Sequence, residues 1–135
     1  MLLPQMLQDP NFRTPFAISL GAIAGALSRY YITLYFLQRF GSNFPFGTFF
    51  VNLTGCFAMG FFVTLASQVI NIPPELRLLA TTGFLGAYTT FSTYSLDTMN
   101  LWDSGNYSSA IFYWLGSAIL GIFCLYLGVI LAKLL

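Results

Sequence analysis

Four apolar runs, each long enough to cross a bilayer and separated only by short turns, leave this chain almost no choice of fold. A helix spanning the hydrocarbon core needs about 20 mainly apolar residues. The runs fall at about 16–37, 46–70, 76–99 and 107–133, which uses nearly all of the 135 residues. The chain is 57% hydrophobic and 7% charged, where soluble domains carry about 25% charged residues. No water-soluble fold of this length hides so much apolar surface. The sequence predicts an all-α integral membrane protein, with residues 1–135 forming one domain of four transmembrane helices.

The charged residues are Asp9, Arg13, Arg29, Arg39, Glu75, Arg77, Asp97, Asp103 and Lys133. All except Arg29 fall close to expected span ends, with Asp97 and Asp103 at or beyond the end of the third. A net charge of +1 gives no sign of a nucleic-acid partner. Histidine is absent, and no paired acid or serine with a base is available, so an enzyme is not expected. Cys56 and Cys124 lie inside apolar stretches, where a free cysteine behaves as a small hydrophobe. The first dozen residues have no basic start and include Pro4, Asp9 and Pro10. The first span, rather than a cleaved signal peptide, is therefore expected to do the targeting.

Turn signals punctuate the runs: Gly41-Ser42-Asn43-Phe44-Pro45, then Pro73-Pro74, then Asp103-Ser104-Gly105-Asn106. Trp102, Tyr107 and Trp114 suit the membrane interface. Four spans put both termini on one side. That side carries Arg13, Arg77 and Lys133 and the other carries Arg39 with Arg29 nearby, so the positive-inside bias is close to nil. A chain with no preferred orientation is expected to insert both ways round and to pair as an antiparallel, dual-topology homodimer, the closed two-fold arrangement being the commonest.

Small and polar residues at helical spacing mark what lipid does not touch. Gly21, Gly25 and Arg29 recur every four residues in the first span, and small residues there favour close helix packing. An arginine near a span is costly unless it snorkels or serves an aqueous vestibule or backbone carbonyls. In the second span Asn52 lies among apolar neighbours, and a buried amide must find partners, either a neighbouring helix or an anion. Within the third span, the segment from Thr82 to Tyr94 combines Gly83 and Gly86 with Thr89, Thr90, Ser92 and Thr93, a composition of weak helix propensity. The helix is expected to break near Gly86 to Thr90. Such breaks in transporters present carbonyl oxygens to ions, and hard cations take oxygen ligands. Phe91 and Tyr94 share a helix face beyond the break, with Ser92 and Thr93 interleaved. In the fourth span Ser109, Tyr113, Ser117 and Gly121 form a ladder of hydroxyls and small residues. Together these groups read as a narrow track of donors.

Taken in order, three segments resemble the CrcB family of fluoride channels, also called Fluc. They are Gly25-Ala26-Leu27-Ser28-Arg29-Tyr30, then Gly47-Thr48-Phe49-Phe50-Val51-Asn52-Leu53-Thr54-Gly55, then Thr82-Gly83-Phe84 through Gly86 to Thr89-Thr90-Phe91-Ser92-Thr93. The resemblance covers essentially the whole chain. It implies passive fluoride export across a prokaryotic plasma or inner membrane by a dual-topology homodimer with two pores. It also implies a structural sodium ion held by the backbone carbonyls of Gly86 and Thr89. By position it assigns Phe91 and Tyr94 to the family's phenylalanine box and Asn52 to the pore. Ser92, Thr93, Tyr113 and Ser117 fall on the ion path, and Arg29 in the vestibule. Tyr94 stands where phenylalanine is usual, and Ala22 and Ala87 where glycine is common.

These groups suit fluoride, a small and strongly hydrated anion. A dry pore must return the hydrogen bonds that water gave. Hydroxyls and an amide donate without fixed charge, and an aromatic ring presents a positive edge. Weak, multiple sites let the ion leave as readily as it enters. The alternative, a small multidrug-resistance exporter with the same span count, would need an acidic residue within a span.

Overall fold

A computed structural model describes residues 9–135. The expected uncleaved N-terminus rests largely on residues 1–8, which lie outside the described residues. Every regular element among the described residues is helical.

Helix α1 (Pro10–Phe40) opens on Asp9, whose carboxylate accepts the Asn11 N–H at 2.9 Å, with Pro10 in the first helical position. It ends at Gly41, whose φ of 76° suits only a residue without Cβ. Helix α2 (Phe46–Thr64) continues into a π-helical turn, Leu65–Val69. The third crossing is built of pieces. Helix α3 (Pro74–Leu78) widens into a π-helical stretch, Leu79–Leu85, then closes as the single turn α4 (Gly86–Tyr88). Thr89 and Thr90 are extended, and α5 (Phe91–Asp103) resumes the path. After a turn at Gly105, with φ of 79°, α6 (Tyr107–Lys133) forms the last crossing.

Among the described residues α1, Phe46–Gln68 and α6 are long and apolar enough to span a membrane unaided. The third crossing does so in two halves that meet at its middle. The chain is thus a multi-pass membrane protein of four helical crossings, the third broken where glycine and threonine concentrate. The helices outrun the apolar runs: α1 starts at Pro10, and α5 continues to Asp103. Asp97 therefore sits within a helix and not at its end.

Backbones touch along two glycine seams. A Cβ at Gly21 or Gly25 of α1 would overlap the Leu79 or Phe84 carbonyl of the third crossing. Gly60 of α2 and Gly128 of α6 would meet the Leu125 and Phe57 carbonyls in the same way. Lipid gives helices no hydrophobic reason to associate, so small residues and close backbone packing carry the assembly. Two buried clusters result. Val51, Leu85 and Tyr88 pack beside the break. Tyr94, Leu101, Ala110 and Tyr113 pack between α5 and α6, with Phe44 and Phe49 against them. Arg13 and Glu75 pair at 3.1 Å and tie the start of α1 to α3.

Candidate functional site

The break is held open by side chains that take over the bonds of the missing helical turn. In an unbroken helix the Thr90 N–H would reach the Gly86 carbonyl and the Thr93 N–H the Thr89 carbonyl. Here the Thr90 N–H donates to Asn52 Oδ1 at 2.8 Å, and Asn52 Nδ2 donates to the Thr90 carbonyl at 3.1 Å. The side-chain amide of α2 pairs with one residue's main chain as a neighbouring strand would. Thr90 also caps α5, its Oγ1 accepting the Thr93 N–H at 3.2 Å. Both carbonyls singled out from the sequence, those of Gly86 and Thr89, have thereby lost their helical donors. The Arg29 guanidinium reaches the Thr89 carbonyl at 3.4 Å, a long contact from a half-buried side chain. Gly86 is exposed, and a Cβ added to it meets only the Thr81 carbonyl, at 3.6 Å.

Carbonyl oxygens that have lost their helical donors are what a hard monovalent cation takes, so the Gly86 carbonyl, and the Thr89 carbonyl with only its long Arg29 contact, fit the sodium ion that the sequence suggests. Among the described residues no cluster of histidine, cysteine, aspartate or glutamate offers a different kind of metal site.

Beside the break lies a cleft of about 270 Å³ walled by Asn52, Cys56, Thr89, Thr90, Phe91, Tyr94, Ser117 and Ala118. It gathers four expected pore residues: Asn52 from α2, Phe91 and Tyr94 from α5, and Ser117 from α6. Asn52 spends Oδ1 and one N–H on Thr90 and keeps a second N–H. Ser117 Oγ is buried and has no hydrogen-bond partner among the described residues. The Phe91 ring is 79% exposed, whereas Tyr94 is only 8% exposed. Their rings tilt at 44° with centroids 5.6 Å apart. The Tyr94 hydroxyl donates to the Trp114 carbonyl of α6 at 2.7 Å, which anchors the ring away from the break.

The remaining expected residues lie around this cleft rather than in its wall. Ser92 and Thr93 are exposed on the first turn of α5, beside Thr90, whose Oγ1 lies 3.0 Å from Thr93 Oγ1. Tyr113 is fully buried, its ring 5.4 Å from Tyr94 and its hydroxyl donating to Asp97 Oδ2 at 3.3 Å. A larger cavity of about 770 Å³ is walled in part by Thr48, Asp97, Asn100 and the Gly41–Pro45 turn. Tyr94 lines the cleft, and Tyr113, packed on it, bonds to Asp97 in the wall of the larger cavity.

The comparisons with known proteins bear on what such a site serves. Residues 16–129 match the family model described as CrcB-like protein, Camphor Resistance. The chain belongs to the CrcB-like family. A relative from Trichormus variabilis, named a fluoride-specific ion channel, is 60% identical over 130 residues, covering 96% of this chain and 95% of the relative. Relatives with the same name from a Synechococcus and a Synechocystis are 53% and 47% identical. They cover 93% and 91% of this chain and 97% and 95% of their own lengths. CrcB-like membership identifies a transporter rather than an enzyme, and it does not favour the multidrug-exporter alternative.

Within this CrcB-like site, Thr90 and Asp97 make contacts that their sequence context does not announce. Thr90 appeared only as part of a motif, yet it is the residue through which Asn52 and α5 are joined. Asp97 appeared as a charge near a span end, because the apolar run fades at Met99 while the helix does not. Its i+3 spacing from Tyr94 is the signal that would have placed it beside that ring on the buried side of the helix.

Proposed function

We infer that this CrcB-like protein conducts fluoride passively out of the cell, across a prokaryotic plasma or inner membrane, through two pores formed between antiparallel copies of the chain. The observation that carries the reading is the cleft beside the break. There the spare N–H of Asn52 and the partnerless Ser117 hydroxyl share one narrow space with the rings of Phe91 and Tyr94. Neutral donors and ring edges replace the hydration of a small anion without trapping it. Chloride, larger and a poorer acceptor, gains less from the same groups.

The dimer is supported by the face the break presents. Ser92, Thr93, Phe91 and Gly86 are exposed at the middle of a crossing, beside extended backbone. Non-helical backbone at membrane depth is tolerated only where protein or water covers it. A second copy inserted the other way round covers it and turns the open cleft into a closed track. The Gly86 and Thr89 carbonyls, the latter giving up its long contact with Arg29, would then hold a sodium ion with their counterparts, and Arg29 would stand near the mouth. When bound, the cation supplies fixed positive potential and satisfies the carbonyls.

Purified protein in vesicles loaded with fluoride is the direct test. A fluoride electrode should register efflux that needs no ion gradient other than fluoride's own. Reporter fusions at the C-terminus should give signal from both sides of the membrane, and signal from one side alone would end the dual-topology reading.

A further inference from the structure

The two carbonyls that fit a cation lack their helical donors only because other groups occupy those donors, and one of those groups is the pore amide itself. We propose that Asn52 is a positioning residue for the cation site: by binding the Thr90 main chain on both sides, it keeps the Gly86 carbonyl available and links the anion cleft to cation occupancy. The proposal rests on the sodium reading above and adds a role for Asn52 besides donation to fluoride.

The geometry leaves few substitutes. Thr90 needs an acceptor for its N–H and a donor for its carbonyl at the same time, and a side-chain amide offers both from one planar group. An aspartate at this position has only acceptors and would set an oxygen against the Thr90 carbonyl. A leucine of similar size has neither function. With the amide gone, the Thr90 N–H would stand unsatisfied at membrane depth, where such groups are heavily penalised. The nearest remedy is local. Thr89 and Thr90, now at ψ of 161° and 124°, can fold into the helical region and send the Thr90 N–H to the Gly86 carbonyl. That continues the helix and consumes the oxygen a cation would use. The Thr90 hydroxyl, by capping Thr93, would stop the helix one residue later but would not protect Gly86.

The test is the sodium dependence of stability, read separately from transport. Purified Asn52→Leu, Asn52→Ser and Phe91→Ile proteins are melted across a sodium titration, with N-methylglucamine holding ionic strength constant. Wild type and Phe91→Ile should share one half-saturating sodium concentration. Both Asn52 variants should need at least roughly tenfold more, as expected when a group that orients metal ligands is removed. Asn52 variants with the wild-type sodium response and reduced flux would overturn the proposal and leave Asn52 as an anion donor alone. A wild-type protein indifferent to sodium would remove the cation reading and this inference with it. Should neither Asn52 variant fold, hydrogen exchange of the wild-type 86–93 segment decides: the Thr90 amide should be protected, and free exchange there in saturating sodium would overturn the proposal.

Discussion

Tyr94→Phe separates an anchoring hydroxyl from a conducting one. The hydroxyl donates to the Trp114 carbonyl at 2.7 Å, and the ring is 8% exposed, packed 5.6 Å from Phe91 and 5.4 Å from Tyr113. Removing the oxygen leaves those ring contacts in place. The Trp114 carbonyl lies inside α6 and keeps the Ala118 N–H of its own helix, so no acceptor is orphaned. Hydrogen bonds between membrane helices average about 0.6 kcal/mol, and the substitution should cost about that much stability. If the whole of it reached the permeation barrier, flux would change about threefold. Tyr94→Ala, by contrast, removes a buried ring at a cost of about 3–5 kcal/mol and should unsettle the fold. The assay is fluoride efflux from vesicles beside an unfolding curve in detergent. Near-complete loss of flux in a Tyr94→Phe protein that still assembles would refute the anchoring argument and make the hydroxyl a ligand of the passing ion.

Other substitutions divide packing from permeation. Ser117→Ala should lower fluoride flux while leaving stability unchanged or slightly higher, because the Ser117 hydroxyl has no partner to lose among the described residues and a buried unsatisfied group costs about 1–3 kcal/mol; loss of stability measured by unfolding would count against this. Phe91→Ile should cut efflux and leave the protomer folded, with an unchanged melting transition, since that side chain is 79% exposed in the protomer. Gly86→Val should yield a folded protomer that dimerises poorly, its Cβ meeting nothing inside the chain closer than 3.6 Å; a stable, active dimer would contradict the carbonyl site. Gly25→Val should instead prevent folding of the protomer, because its side chain collides with the Phe84 carbonyl, and helical circular dichroism with an intact melting transition would show otherwise.

Much of this architecture is legible in the sequence, for physical reasons that also explain what is not. Hydrophobicity and turn residues announce membrane crossings directly. The weak helix propensity of Gly83 to Thr93 announces a break, and the chain is extended at Thr89 and Thr90, within the expected window. What selects those two residues is not local: it is Asn52, 38 positions earlier, and no propensity scale carries that information. The small-residue ladder of the fourth span locates Ser117 beside the cleft, but not the burial of Tyr113, which depends on aromatic cover from Phe44 and Phe49. Asp97 was misjudged as terminal because hydropathy marks where apolar residues end, whereas helices end where hydrogen bonds do. The π-helical widening at Leu79–Leu85 likewise has no clear sequence mark, although Thr81 bonding back to the Arg77 carbonyl at 2.8 Å is a local contributor.

The central claim is that partnerless neutral donors and ring edges replace the water around the smallest halide and no larger one. Paired efflux measurements on one vesicle preparation, fluoride by electrode and chloride by electrode under equal gradients, test it most directly. The account predicts rapid fluoride loss with chloride retained. Equal release of both ions, or of neither, would contradict it.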